Sequence, residues 1–298
     1  MQYCFSLLFC KKEAEFGDAP DHRKGISLMS VMLKLTNVRK TFNAGTVNEK
    51  KALNGVNLEL NEGDFVAVIG GNGAGKSTTL NAVAGVFPID EGTIEIDGTD
   101  VTKQVEHKRA SVLGRVFQDP MMGTAANMNI EENLALAFRR GQKRTLRWGI
   151  TDKEREKYRE ALKTLDLGLE DRMTTKVGLL SGGQRQALTL LMATLRQPKI
   201  LLLDEHTAAL DPKTAAKVLE LSEKIILENK LTALMVTHNM KNAIVHGNRL
   251  IMMNDGKVIL DVKGEEKKNL TVEELLHKFS KASGTELTND RMLLSAAE

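Results

Sequence analysis

Phe65-Val-Ala-Val-Ile69-Gly70-Gly71-Asn72-Gly73-Ala74-Gly75-Lys76-Ser77-Thr78 is the stretch that orders the rest of the chain. Five apolar residues in a row, without polar alternation, suit a short strand covered on both faces. The glycines after it let backbone N–H groups wrap an anion, and a helix opening near Lys76 points its positive end at the same spot. Lys76 adds a cation and Ser77 a hydroxyl oxygen able to ligate a hard metal ion. Strand, loop, Lys-Ser and helix in this order read as a cradle for nucleotide phosphates formed by residues 70–78.

Outward from this point, short apolar or alternating runs at 33–38, 56–60, 93–96, 112–117, 200–203, 232–237 and 249–253 are separated by Asn, Gly and Lys clusters and predict strands. The run at 249–253 turns at Asn254-Asp255-Gly256 into 257–260, a hairpin signal. Ile200-Leu-Leu-Leu203 and Leu234-Met-Val236 are apolar on both faces, so the central sheet is expected to be largely parallel, while 33–38 and 56–60 look antiparallel and peripheral. Leu80, Val83, Ala84 and Phe87 mark one helical stripe, and Val218, Leu219, Ile225 and Ile226 another. Between 119 and 180 the sequence becomes charged, Gly-poor and helical, which predicts a helical insertion into an α/β core. Thr271 with Glu274 forms a capping box before a last helix, and the tail beyond Ser280 reads as loose.

Composition narrows the class. The chain has 298 residues, 42% hydrophobic and 27% charged, and no apolar run approaches the roughly 20 residues of a membrane helix. A net charge of +3 and 4% aromatic residues give no case for nucleic acid. In residues 1–10 the apolar run of Phe5, Leu7, Leu8 and Phe9 is closed, not preceded, by Lys11 and Lys12, which is the wrong order for a secretory signal. Residues 1–31 read as a disordered extension, with Met29 or Met32 as alternative starts. Cys4 and Cys10 both lie there, which suits a reducing compartment.

Three further segments carry chemistry. Ile200-Leu-Leu-Leu203-Asp204-Glu205 ends a buried strand in two carboxylates: the first suits a metal's hydration shell and the second can polarise an attacking water. With the phosphate cradle this specifies a P-loop NTPase. Leu180-Ser181-Gly182-Gly183-Gln184 then precedes a helical run and offers a second anion cradle at a helix N-terminus. Ser-Gly-Gly-Gln just upstream of an Asp-Glu strand resembles the signature motif of the ABC (ATP-binding cassette) family, and the match in order extends from about residue 32 to 261.

The resemblance implies a RecA-like P-loop core with a mainly parallel sheet, an antiparallel β subdomain and an inserted helical subdomain, in a domain spanning 32–264 followed by a C-terminal helix and tail over 265–298. It implies ATP and Mg²⁺ as ligands. Gln118 matches the glutamine that touches the metal or the lytic water. His238 matches the switch histidine, and Asp211, in Ala209-Leu210-Asp211, the D-loop. Phe42 matches an aromatic that stacks on adenine. Catalytic roles fall to Glu205, His238 and Gln118, and metal ligation to Ser77, Gln118 and Asp204. Asp211 before Pro212 is also a helix N-cap in its own right.

The family further implies a second ATPase subunit, a homodimer in the simplest case, with the phosphate cradle of one copy facing residues 181–184 of the other. It implies a separate transmembrane permease, a substrate-binding protein acting through it, and a place on the cytoplasmic face of the membrane. Import is favoured because motor and permease are on separate chains. The competing reading is a cytosolic ABC ATPase without a transport role. The lack of a long coiled coil, a Cys-rich module or a second cassette speaks against that. His206 stands where the family usually has Pro, and reads either as a tolerated turn substitution or as a residue tuning its loop. The variant around residues 204–211 resembles a bacterial subfamily linked in some members to aromatic amino acids. Arg139, Arg140, Lys143, Arg144 and Arg147 form a basic run that suits either a solvated face or contact with permease or anionic lipid.

Overall fold

The computed structural model describes residues 30–142 and 149–283. Residues 1–29 of the extension expected over 1–31, with both cysteines, lie outside them, as do Lys143, Arg144, Arg147 and the tail from 284, whereas Val31 already begins the first strand. The chain opens with β1 (Val31–Phe42) and β2 (Lys50–Asn61), an antiparallel pair, then β3 (Phe65–Ile69) and α1 (Lys76–Ala84). β4 (Glu91–Ile96) and β5 (Thr99–Asp100) return to the first sheet, and α2 (Glu106–Arg109) leads into β6 (Leu113–Val116). α3 (Ile130–Phe138) and α4 (Asp152–Lys163) follow before α5 (Gly182–Thr194) and β7 (Ile200–Asp204). The rest is α6 (Pro212–Glu228), β8 (Thr232–Val236), α7 (Met240–Val245), β9 (Arg249–Asn254), β10 (Lys257–Lys263), α8 (Glu265–Lys268) and α9 (Val272–Ser283).

Two sheets result. β2-β1-β4-β5 is antiparallel, and the six-stranded sheet runs β10-β9-β3-β8-β7-β6, parallel throughout except for β10 on β9. Strand alternation divides the core in two. Val66, Val68, Leu202, Leu234 and Val236 pack with α1 and the antiparallel sheet. Phe65, Ala67, Leu201, Leu203 and Met235 pack instead with α3, α5, α6 and α9. Burial on both faces is why these strands lack polar alternation.

α1 ends at Ala84 because Gly85 takes a left-handed conformation and closes it. Phe87, expected on the helical stripe, therefore lies beyond the helix and packs edge-on against Phe42, with ring centroids 5.2 Å apart. α4 is almost wholly charged, yet a Thr151–Glu154 capping box starts it and buried Tyr158 and Leu162 anchor it. α9 begins with the expected Thr271–Glu274 box and runs through Ser283, past the expected end of order.

Candidate active site

In a parallel sheet, ligands gather at the carboxyl ends of the strands. Here the ends of β3, β7 and β8, which are adjacent, release residues 70–78, Glu205 and His238 on one rim. Gly75 caps α1 at φ 100, and a Cβ there would sit 2.8 Å from the Ala52 carbonyl, so no other residue suits the position. Lys76, 5% exposed, folds its ammonium onto the carbonyls of Gly70 (2.7 Å) and Gly71 (3.0 Å). Burial lowers its pKa, against an opposing pull from Glu205 and Asp204.

The Ser77 hydroxyl donates to Asp204 Oδ1 at 3.2 Å. Burial raises the Asp204 pKa, while Arg115, 3.7 Å from Oδ2, and the Ser77 hydrogen bond oppose the rise. Glu205 adopts φ 46, a left-handed conformation that costs a non-glycine residue about 1–3 kcal/mol. Bonds from its own N–H to Val236 and from Ala208 N–H to its carbonyl hold it there. Its carboxylate lies 2.5 Å from His238 Nε2, which must carry the proton because a carboxylate only accepts.

Gln118 is exposed in the bend after β6, and among the described residues it hydrogen-bonds no other member of the site. Phe42, at the end of β1, sits across the hairpin from Lys50. Asp211 caps α6 by accepting from Thr214 N–H at 3.0 Å. Ser181 and Gln184 close a reciprocal capping box on α5, the Ser181 hydroxyl accepting from Gln184 N–H. A Cβ on Gly183 would meet Thr214 Cγ2 at 2.3 Å, so this glycine lets α5 touch the first turn of α6. Residues 181–184 lie apart in sequence and element from the rim that carries Lys76 and Glu205.

Motif spacing passed over several residues. Lys50 Nζ lies 3.4 Å from where a Cβ on Gly73 would be, over the phosphate loop and beside Phe42. Arg115 donates to Asn81 Oδ1 (2.5 Å), approaches Asp204, and lies 4.5 Å from the Phe117 ring. Arg109, 1% exposed, donates to the Ala82 and Val83 carbonyls that end α1. Gln186 reaches the Phe117 carbonyl from α5. Such contacts join distant segments and leave no fixed spacing to read.

Beside this rim, α2, α3, α4, α5 and β6 enclose an open groove of about 1850 Å³ lined by Phe117, Met122, Leu136, Phe138 and Met192 among others. Met122 is 70% and Leu136 56% exposed.

Residues 53–208 match the family described as ABC transporter. The chain is 45% identical over 251 residues to a tyrosine transport ATP-binding protein of Clostridioides difficile, covering 84% of this chain and all of that protein. It is 34% identical to a spermidine/putrescine import ATP-binding protein of Haemophilus ducreyi, over 81% of this chain and 62% of that one. Among solved structures it resembles an ATP-binding cassette in a dimeric post-hydrolysis state bound to ADP and phosphate, with 32% identity, a TM-score of 0.65, and coverage of 78% of this chain and 98% of that one. No helix among the described residues is long and apolar enough to cross a membrane. With the phosphate loop, the paired carboxylates and the Ser-Gly-Gly-Gln cap on one cassette fold, the chain belongs to the ABC transporter family as an ATP-binding, ATP-hydrolysing subunit.

Proposed function

We propose that this subunit drives import of an aromatic amino acid through a separate permease, as one of two copies arranged head to tail. The observation that carries the motor reading is the meeting of Lys76, Ser77, Asp204, Glu205 and His238 on one strand-end rim while the second anion cradle, residues 181–184, sits elsewhere. A single copy thus holds two half-sites, and pairing completes both. The related cassette solved as a dimer supports pairing of two copies. The aromatic solute and the import direction rest on the tyrosine and spermidine/putrescine relatives.

In this reading Lys76 and the loop N–H groups hold the outer phosphates, Phe42 takes the adenine, and Glu205 accepts the proton of the attacking water. His238, donating from Nε2, holds the Glu205 carboxylate in line with the attacking water. The facing hydroxyl of Ser77 and carboxylate of Asp204 are hard oxygen donors that fit Mg²⁺, with Gln118 as a further ligand. When bound, the ion would neutralise charge on the phosphates. Ser181 and the α5 N-terminus of the second copy would close over the same phosphates, and Asp211 would line that junction. The groove beside Phe117, with exposed Met122 and Leu136, suits a short permease helix, which supports a position at the cytoplasmic membrane face.

Purification from native membranes tests this reading. We expect a polytopic membrane protein to accompany the chain, with Mg-ATPase activity abolished by Glu205→Gln and tyrosine uptake in vesicles dependent on that activity. Turnover by Glu205→Gln at the unmodified rate would overturn the assignment of Glu205. Recovery with soluble partners alone would overturn transport.

A further inference from the structure

His206 follows Glu205 directly and is 2% exposed. Its Nε2 lies 2.9 Å from Ser222 Oγ on α6. The Ser222 hydroxyl spends its one hydrogen on the Val218 carbonyl at 2.7 Å, so toward His206 it can only accept. His206 Nε2 is therefore the donor. Burial, with His246 nearby, presses its pKa down to about 4, which keeps the imidazole neutral. Glu205 stands in a left-handed conformation that its own side chain does not favour. One end of the peptide unit that follows it is thus fixed by a buried side-chain bond to α6. The same helix meets Gly183 of the Ser-Gly-Gly-Gln cap through Thr214 in its first turn.

We propose that His206 is a positioning residue for hydrolysis: its hydrogen bond to Ser222 ties the seat of the Glu205 carboxylate to α6, and through α6 to the α5 cap that faces the second nucleotide site. The inference rests on Glu205 as the residue that activates water. A turn held only by its backbone would let that carboxylate drift, and a drift of about an ångström costs up to roughly 100-fold in rate.

The test compares the purified full chain with His206→Ala, His206→Gln and Ser222→Ala, measuring kcat and KM for Mg-ATP, ADP affinity and thermal melting. Gln carries an N–H donor at nearly the position of Nε2. We expect kcat to fall roughly 10- to 100-fold in His206→Ala and Ser222→Ala, with KM and ADP affinity unchanged, and His206→Gln to recover most of it. If His206→Ala does not fold, Ser222→Ala carries the test, since it removes the acceptor and, besides that, only the hydroxyl's bond to the Val218 carbonyl within α6. A folded Ser222→Ala protein with unchanged kcat overturns the proposal, as does a loss in kcat that only follows melting and is not restored by Gln. Glu205→Gln serves as the control. If it keeps turnover, the reading of Glu205 has failed. If it is inactive while the His206 and Ser222 variants are not, only the positioning role has failed.

Discussion

At Lys50 the ammonium hangs over the phosphate loop beside Phe42, between the place an adenine would take and the place its phosphates would take. An exposed cation in that position acts on the bound nucleotide more than on the chemical step, so Lys50→Ala should raise KM for ATP several-fold, roughly the effect of an exposed charge contact, and leave kcat near its starting value. Steady-state kinetics over a range of salt checks this, because the difference should shrink as ionic strength rises. His206 gives a second prediction. Its folded pKa of about 4 lies below the ordinary 6.5. Below pH 6.5 the unfolded chain takes up a proton that the folded chain refuses, so this contribution is complete above 6.5 and is lost as pH falls toward 4. The lost stability is on the order of 3 kcal/mol. Urea unfolding from pH 7 to 4.5 should show a shallower decline for His206→Gln than for the unmodified chain.

Among the elements, α5 and α6 are held together at a point with no spare room. Gly183→Ala would drive a methyl into Thr214 Cγ2, and such overpacking costs about 1–3 kcal/mol. Chemical denaturation should report that loss, and Thr214→Ser in the same chain should recover most of it. The strands of the central sheet were readable because β3, β7 and β8 are continuous apolar runs, which only a doubly covered strand tolerates. β1 and β2 proved longer than their alternation suggests, since register shifts between Leu35 and Val38 and between Lys40 and Thr41 break the two-residue period. β5 has two residues and α2 has four, too short for any period to appear. Within the site, Lys76 and the Asp204–Glu205 pair stood out because a phosphate loop and a strand ending in two carboxylates have a local spacing, whereas His238 was read from the family resemblance alone. Lys50, Arg115 and the His206–Ser222 bond could not be found, since sheet pairing and helix packing bring their partners together across the fold.

On the scale of the whole molecule, the phosphate loop sits at the strand ends with Lys76 and Glu205, and the proposed second anion cradle at the start of a different element, α5, with Ser181. Buried polar bonds such as Gln186 to the Phe117 carbonyl join α5 to the segment that carries Gln118 and borders the open groove. In the proposed pair, α5 would therefore connect that groove with the junction between the two copies. The most direct test is subunit complementation. Lys76→Ala removes the phosphate-binding cation, while Ser181→Asp keeps the helix cap and sets a carboxylate against the phosphates. Each purified variant alone should be inactive in Mg-ATP hydrolysis. Mixed in equal amounts, they can form a pair in which the loop of one and the α5 cap of the other are both intact, and turnover should return. A mixture no more active than the sum of its parts, with dimers present, would contradict the composite site.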